Sequence, residues 1–227
     1  MDLSPLYISI KTALLATLLT FFAGLYAARY IQKLPHGQGI VDGILTLPLV
    51  LPPTVVGFFL LLIFGRSSFI GRFLQEFNIN VIFSWEATVI AATVVAFPLM
   101  YRTARGAFEQ VNEDYVQAAR TLGMSERRIF WRIVLPLSWP GVAAGMILAF
   151  ARALGEFGAT IMLAGNIPGK TQTMSTAIYS AVQANDQPTA FVWAGVIITL
   201  SLLIMVLMNR WSKRQKIMAG GQANAGG

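Results

Sequence analysis

Five apolar runs constrain this chain more than any other feature of its sequence, because each is about as long as a bilayer is thick. Crossing the hydrocarbon takes roughly 20 apolar residues in a helix, and only helices and closed barrels satisfy their own backbone groups in lipid. The runs occupy residues 8–30, 44–64, 85–101, 136–158 and 189–209. We therefore predict an all-α, polytopic membrane protein with five transmembrane helices. A single transmembrane domain would cover residues 1–217, and residues 218–227 are expected to form a disordered tail.

Composition supports this assignment and excludes several chemistries. The 227 residues are 56% hydrophobic and 12% charged, whereas soluble domains carry roughly 25% charged residues. The absence of cysteine excludes disulfides and thiol catalysis. The only histidine, His36, has no ligand-type residue near it in sequence, so we predict no metal site. The first run is long for the apolar core of a signal peptide and follows Asp2 rather than a basic cluster, so we expect it to be retained.

Prolines interrupt the second run. Pro48 and the pair Pro52-Pro53 each remove a backbone donor, and freed carbonyls inside a bilayer are tolerated only where protein or a water-filled path satisfies them. Two interpretations stay open. The helix is either kinked for packing alone, or it lines a polar route in which Thr54 also takes part.

Two ionisable residues fall within the fourth run. Arg152 and Glu156 are four residues apart, on one helix face, with Gly155 between them. Ionisable groups at membrane depth usually face partners or an aqueous cavity. The pair is therefore either a self-neutralising bridge between helices or a part of a pathway. In the same run, Gly141 and Gly145 form a G-x-x-x-G pair that permits close helix contact.

The longest polar interruption, residues 108–135, predicts two short helices. The first has an N-cap, one apolar face and a glycine just past its end, and the second begins at a serine and ends at a proline. These residues are Asn112, Tyr115, Ala118, Ala119, Leu122, Gly123, Ser125 and Pro136. The pattern alone allows a loop lying on the membrane or on its own subunit. It equally allows a docking face, because Ala118 and Ala119 leave a nearly flat surface.

The spacing within this segment resembles the EAA loop of the permease subunits of bacterial ABC importers. The matching positions are Gln117, Ala118, Ala119, Gly123, Ile133, Leu135 and Pro136. Gln117 stands where the family usually has glutamate. The resemblance implies a cytoplasmic coupling helix between the third and fourth spans that docks into a groove of a separate ATPase subunit. It also implies that this chain has no catalytic residue and binds no cofactor, since ATP and Mg²⁺ are used by that partner ATPase.

Two further stretches, 47–57 and 154–159, resemble molybdate permeases, and the second also resembles sulfate permeases. The resemblance implies a homodimer with two ATPase subunits inside and an oxyanion-binding protein outside. The expected function is molybdate import, with tungstate also accepted because it has the same charge and shape and nearly the same size. Sulfate or thiosulfate import is the alternative substrate assignment. A passive channel, an ion-coupled carrier and an intramembrane enzyme using Arg152 and Glu156 are the alternative functions.

Charge distribution predicts the orientation in the cell inner (plasma) membrane. With the coupling region inside, twelve basic residues lie inside and four outside, as the positive-inside rule requires. The N-terminus is then outside and the C-terminus cytoplasmic. This explains the net charge of +7 without nucleic acid. A sixth span would require the weak segments near Phe69 or Ala177 to insert, and residues 164–171 match only the loose form of a phosphate-binding loop.

Overall fold

The computed structural model describes residues 2–31, 34 and 36–223, except for the side chains of 208, 209 and 211–223. Within those residues the chain forms α-helices and one π turn, with no strand. The elements are α1 (Ser4–Ile31), α2 (Gln38–Val50), α3 (Pro53–Phe64), α4 (Phe69–Glu76), α5 (Trp85–Glu109), α6 (Glu113–Thr121), α7 (Glu126–Ile129), the π turn (Phe130–Val134), α8 (Leu135–Leu154), α9 (Gly158–Leu163), α10 (Met174–Gln183) and α11 (Gln187–Ala223).

Four helical segments in the described part of the chain are long and apolar enough to cross a membrane. They are α1, α5, the continuous segment Glu126–Leu154, and α11 as far as Leu207. The pair α2 and α3 supplies a fifth span if the two bent helices count as one. The helices α4 and α10 have only 8 and 10 residues, too few to cross the hydrocarbon. Neither of them provides the sixth span that the sequence left open.

The centre of the bundle is formed by α1, α5 and α8, which approach one another through small residues. A methyl group added at Gly24 of α1 would lie 2.8 Å from Met100 Cγ on α5. One added at Gly141 of α8 would lie 2.6 Å from the Ala107 Cβ on α5. Gly145 meets the same helix one turn further along. The close contact predicted for the G-x-x-x-G pair is therefore made with α5.

The second apolar run is two helices rather than one kinked helix. Pro48 lies inside α2 without ending it. Leu51 then takes an extended conformation, with φ −69° and ψ 141°, as residues before proline prefer, and Pro53 opens α3. The two helices meet at 112°. Adjacent prolines remove two consecutive donors from the helical ladder, which is why the chain turns here instead of bending gently.

The fourth span also differs from the prediction at both ends. The segment from Glu126 to Leu154 is helical throughout, so Pro136 lies inside it and does not end the second coupling helix. Just before this proline, the Leu135 N–H donates to the Phe130 carbonyl, five residues back. The wider turn gives the proline ring room that a regular α-turn denies it. The helix ends four residues earlier than predicted, with Gly155, a poor helix former, as its C-cap.

The last helix continues past the predicted span. The backbone of α11 is helical to Ala223, which is six residues into the segment expected to be disordered. Good helix formers such as lysine, arginine, glutamine and methionine dominate residues 210–218 and favour this continuation. The final residues of that expected tail, 224–227, lie outside the described residues.

Candidate functional site

The polar segment between α5 and α8 contains a helix, α6, that is closed at both ends. Asn112 Oδ1 accepts a hydrogen bond from the Asp114 N–H at 2.9 Å, which is the N-cap that the sequence predicts. Gly123 follows the helix with φ +74°, a conformation that glycine adopts without strain. The N–H groups of Gly123 and Met124 donate back to carbonyls in the last turn. This Schellman motif gives α6 a fixed end.

One face of α6 is apolar and open. Tyr115 is 58% exposed and Leu122 is 81% exposed, and Ala118 between them is also exposed. Ala119, however, is only 3% exposed because it packs against its own chain. The sequence placed all four residues on a common face, but the structure turns Ala119 inward. A partner would therefore meet the open face, which we define as Tyr115, Ala118 and Leu122.

Charged and polar side chains join α6 to its surroundings. Gln117 is exposed and its Nε2 donates to Glu113 Oε1 at 3.1 Å. Arg120 Nε lies 2.7 Å from Glu126 Oε1 at the start of α7, and this hydrogen bond raises the pKa of Arg120. Ser125 occupies the predicted N-cap position of α7, although its hydroxyl makes no capping bond there. The ion pair therefore takes the larger part in joining α6 to α7.

The remaining positions of the segment lie in the π turn, which contacts α6, and at the start of α8. Phe130 in the π turn meets the Phe108 ring of α5 edge to face, with centroids 5.4 Å apart. Ile133 and Leu135 are half-buried and Pro136 is exposed. The positions that resemble the EAA loop thus divide into two groups. Gln117, Ala118, Gly123 and Pro136 are exposed, and Ala119, Ile133 and Leu135 are wholly or partly buried.

The break between α2 and α3 packs against the break between α8 and α9. A methyl group added at Gly158 would lie 3.0 Å from both Pro53 Cβ and the Thr54 nitrogen. One added at Gly57 would lie 2.8 Å from the Ala159 Cα. Pro52 and Thr54 remain exposed beside this contact, while Pro48 is half-buried within α2. The structure therefore brings Pro53 and Thr54 to the end of the fourth span, and it leaves Pro48 on the other side of the bend.

Arg152 and Glu156 form an ion pair across the second of these breaks. Arg152 Nη1 lies 2.8 Å from Glu156 Oε2, and the side chains are 29% and 2% exposed. Glu156 Oε1 also accepts the Ala159 N–H at 2.7 Å, so the carboxylate ties the end of α8 to the start of α9. Gly155, between them, is exposed. The pair is neutral as a unit, and its buried member is the carboxylate.

A third polar cluster, centred on Asp42 of α2, was missed by sequence reasoning. Asp42 Oδ1 accepts hydrogen bonds from the Tyr101 hydroxyl at 2.8 Å and from Arg105 Nη1 at 3.0 Å. Arg102 Nη2 lies 4.0 Å from Asp42 Oδ2 and donates to Thr46 Oγ1 at 3.4 Å. The cluster fixes α2 to α5 close to the polar segment. One signal was available, since Asp42 is the only acidic residue between Asp2 and Glu76.

Two weaker sequence features do not form sites in the described residues. Residues 164–171 are a turn between α9 and α10, and a phosphate-binding loop would need a strand before it and a helix directly after it. His36 belongs to no cluster of three or more potential metal ligands, and no such cluster occurs among the residues that the structure describes.

A bundle of apolar spans, an interrupted pair of helices and one short helix with an exposed apolar face are features of a membrane transport component. The chain belongs to the family of binding-protein-dependent transport system inner membrane components, which its residues 20–217 match.

Individual relatives agree with this family. The molybdenum transport system permease protein ModB of Haemophilus influenzae is 40% identical over 99% of both chains. ModB of Escherichia coli K12 is 43% identical over 91% of both chains. The sulfate transport system permease protein CysT of E. coli K12 is 34% identical over 91% of this chain and 75% of its own.

Solved structures share the fold at much lower identity. The bacterial ABC transporter that imports the polysaccharide alginate has a TM-score of 0.75 and 17% identity, over 93% of this chain and 79% of that one. The MetNI methionine ABC transporter in an inward-facing conformation has a TM-score of 0.70 and 15% identity, over 92% and 94%. These likenesses establish the fold.

Proposed function

We propose that this chain is the translocation subunit of an ABC importer that moves molybdate into the cytoplasm, with tungstate as a second substrate. The observation that carries the proposal is the set of relatives. Those named as molybdenum permeases are 40–43% identical over at least 90% of this chain. The relatives named as sulfate permeases are 34–37% identical and are covered over only 64–75% of their length. Tungstate follows from molybdate because the two ions share charge and shape and are nearly the same size.

The complex we propose contains two copies of this chain, two ATPase subunits and an external oxyanion-binding protein. ATP and Mg²⁺ belong to the ATPase subunits. The open face of α6 supports this arrangement, since exposed apolar side chains on a polar hairpin are typical of a protein contact. The ATPase that docks on this face would lie in the cytoplasm. An orientation with the coupling segment inside agrees with the positive-inside rule, because it leaves twelve basic residues inside. The N-terminus is then outside and the C-terminus inside.

The helical connections suggest how force reaches the pathway. The open face of α6 is joined to α7 by the Arg120–Glu126 pair, and α7 continues without interruption into α8. The far end of α8 carries Arg152 and leads into Gly158, which packs on Pro53. Movement of the ATPase subunits would tilt this rod and alter the contact between the two breaks. Access would then alternate between the two sides of the membrane.

The alternative functions have less support. A channel or an ion-coupled carrier needs no partner protein at α6, so neither function explains why the open face of α6 is apolar. An intramembrane enzyme would need a carboxylate that substrate can reach, whereas Glu156 is 2% exposed, its Oε1 accepts the Ala159 N–H, and its Oε2 lies in ion contact with Arg152 without a hydrogen bond of good geometry. Sulfate remains the second substrate candidate, because the shape and charge of the ion are the same and a sulfate permease is among the relatives.

The proposal is tested by reconstitution with the cognate ATPase and binding protein in proteoliposomes. We expect uptake of radioactive molybdate that requires ATP and all three proteins, and competition by tungstate that is stronger than competition by sulfate. Uptake without the ATPase would contradict the importer assignment. Stronger competition by sulfate than by tungstate would instead favour the sulfate assignment.

Orientation is tested with a cysteine at Ser125, in a chain that otherwise has none. We expect an impermeant thiol reagent to label Ser125→Cys in inverted vesicles and not in intact cells. A cysteine at Lys170, in the turn between α9 and α10, should show the opposite behaviour. Labelling of Ser125→Cys in intact cells would place the coupling segment outside and would contradict the proposed complex.

A further inference from the structure

We propose that the chain binds one anionic phospholipid in a cleft along α1, with the headgroup phosphate between Arg29 and Arg127. The cleft is a cavity of about 590 Å³ between the end of α1 and the segment formed by α7 and the π turn. We call the part of the cleft that the two arginines line its mouth, and aromatic and aliphatic side chains such as Phe22 and Leu25 line the rest.

The guanidinium of Arg29 rests on aromatic rings. Its guanidinium carbon lies 4.1 Å from the centroid of the Phe130 ring and 5.7 Å from that of Tyr30. No ion pair links it to a carboxylate among the described residues. Three carboxylates line a neighbouring cavity together with Arg29, and each has another partner: Glu109 pairs with Arg105, Glu113 accepts from Gln117, and Glu126 pairs with Arg120. A half-buried guanidinium resting on aromatic faces keeps its outward donors available for a phosphate.

The shape of the cleft selects a lipid rather than a free anion. A second, almost wholly apolar trough of about 540 Å³ continues along α1 towards Leu14 and shares Phe21 and Phe22 with the first cavity. The distance along α1 from Leu14 to Arg29 is about 22 Å at the helical rise. One leaflet of a bilayer with its headgroups is about 20–22 Å thick. The basic mouth and the apolar trough therefore match the two ends of a single phospholipid.

Aromatic residues place this mouth at the level of the headgroups. Tyr26, Tyr30 and Trp131 line the cavity and are 65%, 48% and 55% exposed. Tyrosine and tryptophan concentrate at membrane interfaces, where a polar edge and an apolar ring are both accommodated. Basic clusters at that depth attract anionic lipids. The site therefore lies in the leaflet that faces the coupling segment.

The binding experiment uses the full chain in nanodiscs and reads tryptophan fluorescence. Brominated acyl chains quench a nearby indole, so dibrominated phosphatidylglycerol and dibrominated phosphatidylcholine are compared at equal mole fractions in an otherwise unbrominated phosphatidylcholine disc. We expect phosphatidylglycerol to reach half of its maximal quenching at a severalfold lower mole fraction. The excess quenching should disappear in Trp131→Phe, which identifies the reporter.

Charge variants separate a specific site from general surface attraction. Each arginine near an anionic lipid contributes roughly a fivefold preference, so Arg29→Gln and Arg127→Gln should each reduce the preference for phosphatidylglycerol by about that factor. Arg29→Lys should retain most of it. Arg128→Gln is the matched control, because this neighbouring exposed arginine does not line the cavity. An equal reduction in Arg128→Gln would overturn the proposal.

Two other occupants are distinguished in the same assay. Inorganic phosphate and glycerol phosphate at millimolar concentration should leave the excess quenching unchanged, and its removal by either would identify an anion site without a lipid. If a second copy of the chain covers the cleft, neither brominated lipid quenches Trp131 in the wild-type protein. Either of these results would contradict the lipid site.

Discussion

Replacing Arg152 with glutamine would leave a buried carboxylate without its charge partner. Glu156 is 2% exposed, and its Oε2 lies 2.8 Å from Arg152 Nη1. Breaking a buried ion pair by removing one partner costs roughly 3–5 kcal/mol, because the remaining charge is uncompensated. Arg152 itself is 29% exposed, so water already weakens the pair. We therefore expect Arg152→Gln to lower the free energy of unfolding by about 3 kcal/mol, the lower end of that range.

Replacing Glu156 with glutamine should lower the free energy of unfolding by a smaller amount. In Glu156→Gln the amide oxygen can still accept the Ala159 N–H, and the arginine that remains is the more exposed member of the pair. We expect a loss of about 1 kcal/mol, as for one hydrogen bond weakened by removal of a charge. The double variant should then cost about 2 kcal/mol rather than the sum of both, because neither charge is left alone.

Thermal unfolding of the purified chain in detergent measures these differences. For a chain of this length, 1 kcal/mol shifts the melting temperature by roughly 2–4 °C. Arg152→Gln should therefore melt about 6–12 °C lower, and Glu156→Gln about 2–4 °C lower. Arg128→Gln, at an exposed position, should melt within about 2 °C of the wild type. Equal losses in the two single variants, or strictly additive losses in the double variant, would refute this reasoning.

The remaining predictions concern helix packing, the Asp42 cluster and the cap of α6. Gly57→Ala places a methyl group 2.8 Å from the Ala159 backbone and should lower the free energy of unfolding by about 1–3 kcal/mol through overpacking. The control variant Gly43→Ala meets nothing within 4 Å and should melt no lower than the wild type. Asp42→Asn weakens its hydrogen bonds to a phenol and a guanidinium and should cost roughly 1.5–3 kcal/mol, measured in the same melting assay. Gly123→Val forces a β-branched residue to φ +74°, with strain of order 1–3 kcal/mol. If α6 is the docking helix, this variant should show reduced ATP-dependent molybdate uptake. The control variant Gly43→Val should transport molybdate normally.

The features that the sequence predicted well depend on residues within a few positions of one another. The N-cap at Asn112 and the left-handed conformation of Gly123 follow from chemistry inside one or two turns of helix. The apolar length of the spans is equally local. Such features survive folding because tertiary contacts seldom reverse a cap, and because the apolar character of a run is a property of its own residues.

The features that it missed depend on contacts between distant residues. Ala119 shares its sequence periodicity with Ala118, yet only packing against another part of the chain decides which of them is buried. Asp42 and Tyr101 are 59 positions apart, and no local pattern pairs them. The proline pair predicted an interruption of the second run, but the angle between α2 and α3 is fixed by how α3 packs on α9.

The continuity of the segment from Glu126 to Leu154 determines what the proposed importer can transmit. At the helical rise, its 29 residues span about 43 Å, so each end lies about 21 Å from the midpoint. A rigid tilt of about 10° around that midpoint moves each end by about 4 Å. Gly158 lies four residues after Leu154, the C-terminal end of this segment, and a methyl group at Gly158 would lie only 3.0 Å from Pro53 Cβ. A small tilt imposed at α7 is therefore large enough to separate the two helix breaks, whereas a helix ending at Pro136 would have lost that motion at the proline.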